Sequence, residues 1–278
     1  MKNWIRRQPV VSYFFMVLLI SWGGSILAGV KLLQGAELEL KDALPMAVAM
    51  LGAPCFVGIA WTYICDGRKG LQDLLARMTK WRVGARWYAV LLIFPLLILV
   101  VILSLSMLVV PELKPTFLQI GILFGLSAGF LEEIGWMGFV YPKMRLRFSI
   151  LRASIYLGLI HALWHGVADF LGNVNSFGEN WLPYFAGFFV FVVALRVIIA
   201  WVYENTGSLL LAQLIHASSS GFLSVFVART EFSGETWYIF YVAYAVVIWL
   251  VAAIIILRNE GRLLKQPVDK REFTVGLG

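Results

Sequence analysis

The sequence contains an uninterrupted apolar stretch at residues 87–110, WYAVLLIFPLLILVVILSLSMLVV. It carries no charged side chain, and as a helix with a rise of about 1.5 Å per residue it would cross the roughly 30 Å hydrocarbon core of a bilayer. Of the 278 residues, 60% are hydrophobic and only 14% are charged. In a soluble domain about a quarter of the residues are charged. The composition therefore predicts an all-α protein embedded in a membrane.

Further apolar stretches of similar length lie on both sides of this one. We predict a polytopic membrane helix bundle of about eight transmembrane helices, which forms a single integral membrane domain over residues 1–278. The predicted spans are Pro9–Val30, Ala43–Ile64, Trp87–Val110, Thr116–Tyr141, Leu151–Leu171, Leu182–Tyr203, Ser208–Ala228 and Thr236–Leu257. The first stretch is long and lacks a clear cleavage site, so we interpret it as an uncleaved helix rather than a secretory signal.

The basic residues predict the orientation of the bundle. Most of the 23 Lys and Arg residues fall on one side if the N-terminus is cytoplasmic. These are Lys2, Arg6, Arg7, Arg68, Lys69, Arg77, Lys80, Arg82, Arg86, Lys143, Arg145, Arg147, Arg152, Arg258, Arg262, Lys265, Lys270 and Arg271. The other side holds Lys31, Lys41, Lys114 and Arg229. By the positive-inside rule, both the N- and C-termini are predicted to be cytoplasmic.

The same distribution indicates the surroundings of the protein. The net charge of +7 is spread over short clusters between apolar runs and forms no single patch, so nucleic acid is not an expected partner. We expect a multi-pass protein of the cell membrane, most simply a bacterial inner membrane, with lipids around it.

Two local patterns predict how particular segments pack. The connection Gly67–Arg86 has Leu71, Leu74, Leu75 and Met78 at helical spacing among basic residues, which predicts an amphipathic helix on the inner leaflet. In the fourth span Gly121, Gly125 and Gly129 recur every four residues. Such a face of small residues favours the close approach of another helix. Asp169, near the end of a span, is expected to be solvated or to cap its helix.

Ionisable side chains within the spans are few and lie on four helices. They are Glu132 and Glu133 in the fourth span, His161 and His165 in the fifth, Arg196 in the sixth and His216 in the seventh. Measured from the predicted cytoplasmic ends, these residues lie about 10–18 Å deep. Ionisable groups in a bilayer are costly and usually functional. We predict that the core helices, residues 116–228, place them around one site; a structural polar network between helices is the alternative.

These residue types suit a hydrolase. His161 and His165 are four residues apart and share a helical face, as do His216 and Ser220. A carboxylate beside an imidazole in a low-dielectric cavity can take a proton from water, and a second imidazole with a hydroxyl can stabilise an oxyanion. We therefore expect a cavity, open to the cytoplasm, in which water attacks a carbonyl. A small-solute transporter would also explain buried glutamates and histidines, but it lacks the support of inverted repeats or broken helices.

The residues around these groups resemble the CPBP family of intramembrane proteases, which includes CAAX prenyl endopeptidases and lysostaphin-resistance and bacteriocin-immunity relatives. The resemblance covers roughly Gly121–Phe226 and rests on EEIGWMGF at residues 132–139, ALWH at 162–165 and LLLAQLIHASSS at 209–220. It implies a glutamate-dependent endopeptidase opening to the cytoplasm, with a peptide or prenylated protein as its substrate. The roles it implies are Glu132 as general base assisted by His165, His216 with Ser220 as oxyanion hole, and Glu133 as a structural or supporting residue.

Three positions depart from the family pattern. Met137 stands where an arginine is usual, His161 where an aromatic residue is common, and Ser220 where asparagine or aspartate is expected. We hypothesise that Arg196 replaces the missing arginine as the partner of Glu133. The departures also keep open a catalytically silent family member that acts as a membrane interaction or bacteriocin-immunity protein.

Two further expectations concern ligands. Trp136 and Trp164 flank the predicted site and are candidates for substrate binding, with packing as the alternative. Glu132, His165 and His216 could bind Zn²⁺ in number, as the family's description as metalloproteases implies. Because the helical H-E-x-x-H pattern is missing, we favour water activation without a metal.

Overall fold

The computed structural model describes residues 2–34, 39–227, 233–261 and 263. The chain is 88% helical, and these residues contain no strand, which confirms the all-α prediction. The helices are α1 Lys2–Arg7, α2 Pro9–Gly29, α3 Leu40–Met78, α4 Ile93–Leu108, α5 Ile120–Gly135, α6 Tyr141–Arg145, α7 Ile150–Phe177, α8 Trp181–Thr206, α9 Leu209–Phe226 and α10 Gly234–Arg258. Short 3-10 turns at Val30–Gln34, Ala85–Leu92 and Gly178–Asn180 and a π-turn at Trp136–Val140 join or extend them.

Seven helical stretches among the described residues are long and apolar enough to cross a membrane. The longest, Ile150–Thr206, has 57 residues and would measure about 85 Å as a single rod. It is instead a hairpin of α7 and α8, which turns at Gly178 and contributes two spans. The polytopic bundle of about eight spans is therefore confirmed. The orientation stays a prediction, and Arg229, Arg262, Lys265, Lys270 and Arg271 lie outside the described residues.

Asp169 ties the two helices of this hairpin together. Its carboxylate accepts hydrogen bonds from Trp181 Nε1 at 3.0 Å and from Tyr184 OH at 2.8 Å, both on α8. The expectation that Asp169 is solvated or caps its helix is wrong, since only 9% of the residue is exposed. A buried carboxylate is retained because two donors on the facing helix satisfy it.

Helix α3 is broken at Gly67, whose φ of 67° and ψ of −157° are not helical. The segment after the break corresponds to the predicted amphipathic helix and ends at Met78, before the predicted limit of Arg86. Its Leu74 is buried against Gly138, whereas Leu75 is exposed. One face of this short helix therefore packs on the protein, and its position at the inner leaflet stays a prediction.

The closest helix pair is α5 with α9, and glycine makes the contact possible. A Cβ atom built on Gly125 would lie 2.4 Å from the Ala217 carbonyl oxygen, and one on Gly129 would lie 2.3 Å from that of Gln213. Both distances are far below a van der Waals contact, so only glycine fits at this face. The predicted small-residue face is confirmed, and it brings the end of α5 against the middle of α9.

The π-turn begins three residues after Glu133, and a side chain from another segment donates a hydrogen bond to it. Tyr141 N–H donates to the Trp136 carbonyl, five residues back. Pro142 has no N–H and cannot donate to the carbonyl of Gly138 as a helical residue would. Arg77, from the segment after the α3 break, donates to that carbonyl instead, from Nη2 at 2.9 Å. Sequence reasoning missed this residue, although Pro142 four positions after Gly138 signals a carbonyl that needs another donor.

Candidate active site

Glu132 lies at the end of α5 with three nitrogen atoms near one carboxylate oxygen. His161 Nε2 on α7 is 3.0 Å from Oε2, and the Trp136 indole N–H donates to the same oxygen at 3.3 Å. His216 Nε2 on α9 is 3.9 Å away, beyond hydrogen-bonding distance. Only 2% of Glu132 is exposed. The carboxylate is therefore satisfied by neighbouring side chains rather than by bulk water.

Glu133 is held by a different pair of groups. Arg196 Nη1 on α8 lies 2.6 Å from Oε1 and 2.8 Å from Oε2, and His216 Nδ1 lies 2.7 Å from Oε1. Arginine cannot lose its proton in a protein, so this contact favours the ionised carboxylate. The contact that we hypothesised between Arg196 and Glu133 is present in the structure.

Arg196 also connects the two glutamates. Its Nε donates to His161 Nδ1 at 3.1 Å, while the other nitrogen of the same imidazole faces Glu132. The contacts close a ring of five side chains, which we call the buried polar ring: Glu132, His161, Arg196, Glu133 and His216. Its members are between 0% and 3% exposed. Four helices supply them, so the ring also fixes how α5, α7, α8 and α9 pack.

The structure assigns the two histidines of α7 differently from the resemblance. His161, expected only to support the site, bonds directly to Glu132. His165, the expected assistant of Glu132, lies in the same cluster: the ligand atoms of Glu132, His161 and His165 are all within 4.8 Å of one another. His165 is half-buried. Because both histidines occupy one face of α7, their spacing alone does not show which of them meets the carboxylate.

The remaining predicted site residues lie around the ring. Ser220 is on α9 one turn beyond His216 and is half-buried. Trp136 and Trp164 are completely buried and in edge-to-face contact at 5.5 Å. Trp136 donates to Glu132, so it is part of the carboxylate's surroundings, and substrate binding by either indole stays a prediction.

Three of these side chains lie close enough together to hold a metal ion. The side chains whose ligand atoms cluster are Glu132, His161 and His165, whereas our predicted zinc set had His216 in place of His161. His161 Nδ1 accepts a hydrogen bond from Arg196, a group with no acceptor of its own, so the ring proton sits on Nε2. Metal binding at His161 Nε2 would displace this proton. The zinc set with His165 and His216 stays a prediction.

Access to the ring is closed in this arrangement. Each of its five members is at most 3% exposed, whereas His165 beside it is half-buried. The predicted opening of the site to the cytoplasm stays a prediction.

Comparison with known proteins finds a family similarity around these residues. Residues 114–222 match the family model described as Type II CAAX prenyl endopeptidase Rce1-like. Over this range the chain is similar to that family. The matched range contains the whole buried polar ring together with His165 and Ser220, so the residues that the resemblance singled out lie in the shared part of the chain.

A curated relative supports the same assignment over a limited length. The chain is 32% identical over 95 residues to a protein named CAAX prenyl protease 2 from Methanococcus maripaludis. The match covers 33% of this chain and spans 35% of the relative. The chain thus spans about a third of the length of the curated relative that it matches.

Proposed function

We propose that this protein is an intramembrane endopeptidase in which Glu132 activates water against a peptide bond. The proposal is carried by the position of the Glu132 carboxylate. It lies between His161 and His216 and is buried within an apolar helix bundle. The 3.9 Å between His216 Nε2 and Glu132 Oε2 is too long for a direct bond but lets one water molecule contact both atoms from the side. That water would have a base on one side and an imidazole on the other.

The neighbouring groups have complementary roles in this mechanism. Glu133 accepts a hydrogen bond from His216 Nδ1–H and so turns Nε2 towards Glu132. When His216 is protonated, the carboxylate of Glu133 stabilises the imidazolium, which can then donate to the oxyanion of the tetrahedral intermediate. Ser220 offers a second donor on the same helical face, and His165 assists proton transfer. Glu132 takes the proton of the attacking water and delivers it to the leaving amine.

The substrate class follows from the family rather than from the site alone. The family model and the curated relative are both named for CAAX prenyl processing. We therefore propose a protein substrate with a prenylated C-terminal segment that enters from the membrane, and a reaction without a resident metal, because the helical H-E-x-x-H pattern is missing.

The decisive experiment compares Glu132→Gln with the wild type on a quenched-fluorescence prenylated peptide in detergent. The variant keeps the shape of the side chain but cannot accept a proton, so hydrolysis should fall by about 100-fold or more while peptide binding survives. Glu179→Gln, at an exposed carboxylate in the turn between α7 and α8, is the matched control and should keep full activity. Chelation of metals should leave the wild type unchanged.

A catalytically silent member is the second candidate, and the closed buried ring is the observation that favours it. In that case the wild type and Glu132→Gln would bind the same peptide equally and show the same background turnover. Such a result would reject the protease and leave the interaction or immunity role.

A further inference from the structure

We propose that Arg196 and His161 act as a positioning pair, in which Arg196 fixes the tautomer of His161 so that the imidazole donates a hydrogen bond to Glu132. The proposal rests on the function proposed above, because it assigns a role toward the same base. It gives a defined task to His161, which departs from the pattern of the resembled family, and to Arg196, which we hypothesised to replace the arginine missing at Met137.

The proton arrangement follows from the contacts. A guanidinium carries only donors, so His161 Nδ1 at 3.1 Å from Arg196 Nε has to be the acceptor of that hydrogen bond. A neutral imidazole has one ring proton, which is then on Nε2. This nitrogen lies 3.0 Å from Glu132 Oε2 and donates to it. The ionised Glu132 carboxylate can only accept, so it also favours a proton on Nε2, whereas Arg196 is the contact that keeps a proton off Nδ1.

His216 has the opposite arrangement for a matching reason. Its Nδ1 lies 2.7 Å from Glu133 Oε1, and the ionised carboxylate can only accept. The neutral His216 therefore has its proton on Nδ1 and a lone pair on Nε2. The two imidazoles present different groups to Glu132: a donor from His161 and an acceptor, or a site for a second proton, from His216. Arg196 touches both halves of the ring, because it bonds Glu133 as well.

The helix packing supports a dedicated role for Arg196. Gly158 on α7 faces α8 at this level, and a Cβ atom built on it would lie 2.8 Å from Val193 Cα and 3.4 Å from Arg196 Cβ. Glycine thus lets the backbones approach closely where the guanidinium crosses to His161. The side chain of Arg196 is fully buried, although arginine is rarely buried unless it is paired.

Two departures from the family pattern are explained together by this contact. With Met137 in place of an arginine on α5, the guanidinium reaches Glu133 from α8 instead. An aromatic ring at position 161 could neither accept the Arg196 Nε proton in its plane nor donate to Glu132. An imidazole does both. The arginine on α8 and the histidine on α7 therefore act together on the two glutamates.

The direct test is nitrogen NMR of the chain labelled with ¹⁵N-histidine in detergent micelles. The sequence has only three histidines, so the spectrum is simple, and His161→Phe assigns the signals of His161 by their loss. The wild type should show His161 protonated on Nε2. In Arg196→Met, Nδ1 no longer faces a donor and should be protonated in a substantial fraction of the molecules. Since Arg196→Met leaves Glu133 unpaired and can fail to fold, Glu133→Gln/Arg196→Met serves as the second variant, with the same expected change.

Activity measurements complete the test with a conservative rescue. His161→Phe removes the donor to Glu132 and should lower hydrolysis about 10- to 100-fold, because the carboxylate of the base is no longer held in one orientation. His161→Gln keeps one acceptor and one donor and should recover most of the rate, with a similar melting temperature. Equal rates for Phe and Gln at this position would overturn the proposal.

The two readouts separate this inference from the proposed function. A His161 protonated on Nδ1 in the wild type would overturn the positioning pair whatever the activity. A wild type without peptidase activity whose His161 is Nε2–H, and changes in the Arg196 variants, would support the tautomer control and reject the protease.

Discussion

Glu132 and Glu133 are neighbours in the chain, yet their carboxylates have different kinds of partner. Glu133 is paired with the permanent charge of Arg196, whereas Glu132 accepts hydrogen bonds from His161 and Trp136. A charge that is paired at close range is structural, and a carboxylate without such a pair keeps the capacity to take a proton. This difference supports the assignment of Glu132, and not Glu133, as the base.

The ion pair predicts an asymmetric response to substitution. Glu133→Gln should lower the melting temperature in detergent, because it leaves Arg196 buried and unpaired at a cost of about 3–5 kcal/mol. Glu133→Gln/Arg196→Met removes both charges and should be more stable than Glu133→Gln alone. Thermal unfolding of the two single variants and the double variant, followed by intrinsic fluorescence, measures the coupling. Strictly additive effects would show that the pair contributes no such coupling.

Most residues of the site could be predicted from the sequence, but the choice of the histidine that contacts Glu132 could not, for a physical reason. The depth of Glu132, Glu133, Arg196 and His216 in their spans places all four at one level, because the rise of a helix is fixed. His161 and His165 are one turn apart on one face, so sequence does not decide which of them meets Glu132. That choice depends on the π-turn after Glu133 and on the crossing of α5 with α7, which are tertiary properties.

Among the helices, the contact of α5 with α9 is the one that glycine controls. Gly125→Ala adds a methyl group 2.4 Å from the Ala217 carbonyl oxygen, and the backbones must separate. We expect a destabilisation of about 1–3 kcal/mol and a loss of activity, since His216 moves away from the glutamates. Gly172→Ala on α7 is the control, because no atom lies within 4 Å of its added Cβ. Equal melting temperatures for the two variants would contradict the role of this close contact.

The boundaries of the helices show which features of the fold can be predicted from the apolar pattern and which cannot. The eight predicted spans correspond to helices because their lengths follow from the hydrocarbon thickness. The break at Gly67 and the π-turn at Trp136–Val140 are not visible in hydropathy, since they change backbone geometry without changing polarity. Arg77 then appears as a charged loop residue in the sequence, although its side chain donates to the Gly138 carbonyl.

For the whole molecule, the predicted orientation can be tested with two single cysteines. The natural Cys55 and Cys65 are first replaced by alanine, and Arg147→Cys or Lys114→Cys is then introduced; both positions are exposed. If both termini are cytoplasmic, a membrane-impermeant maleimide added to intact cells labels position 114 and not 147. Both positions should react after the membrane is permeabilised. Labelling of position 147 alone in intact cells would invert the orientation.

The buried polar ring also has a consequence for the order of biosynthesis. Its side chains come from α5, α7, α8 and α9, which leave the ribosome in that order. When α5 reaches the translocon, Glu132 and Glu133 have no partner yet, and a lone charged side chain at mid-span costs about 2.5–3.5 kcal/mol to insert. Stable integration of α5 therefore waits for Arg196 and His216. A nascent chain that stops before α8 has no arginine to neutralise Glu133.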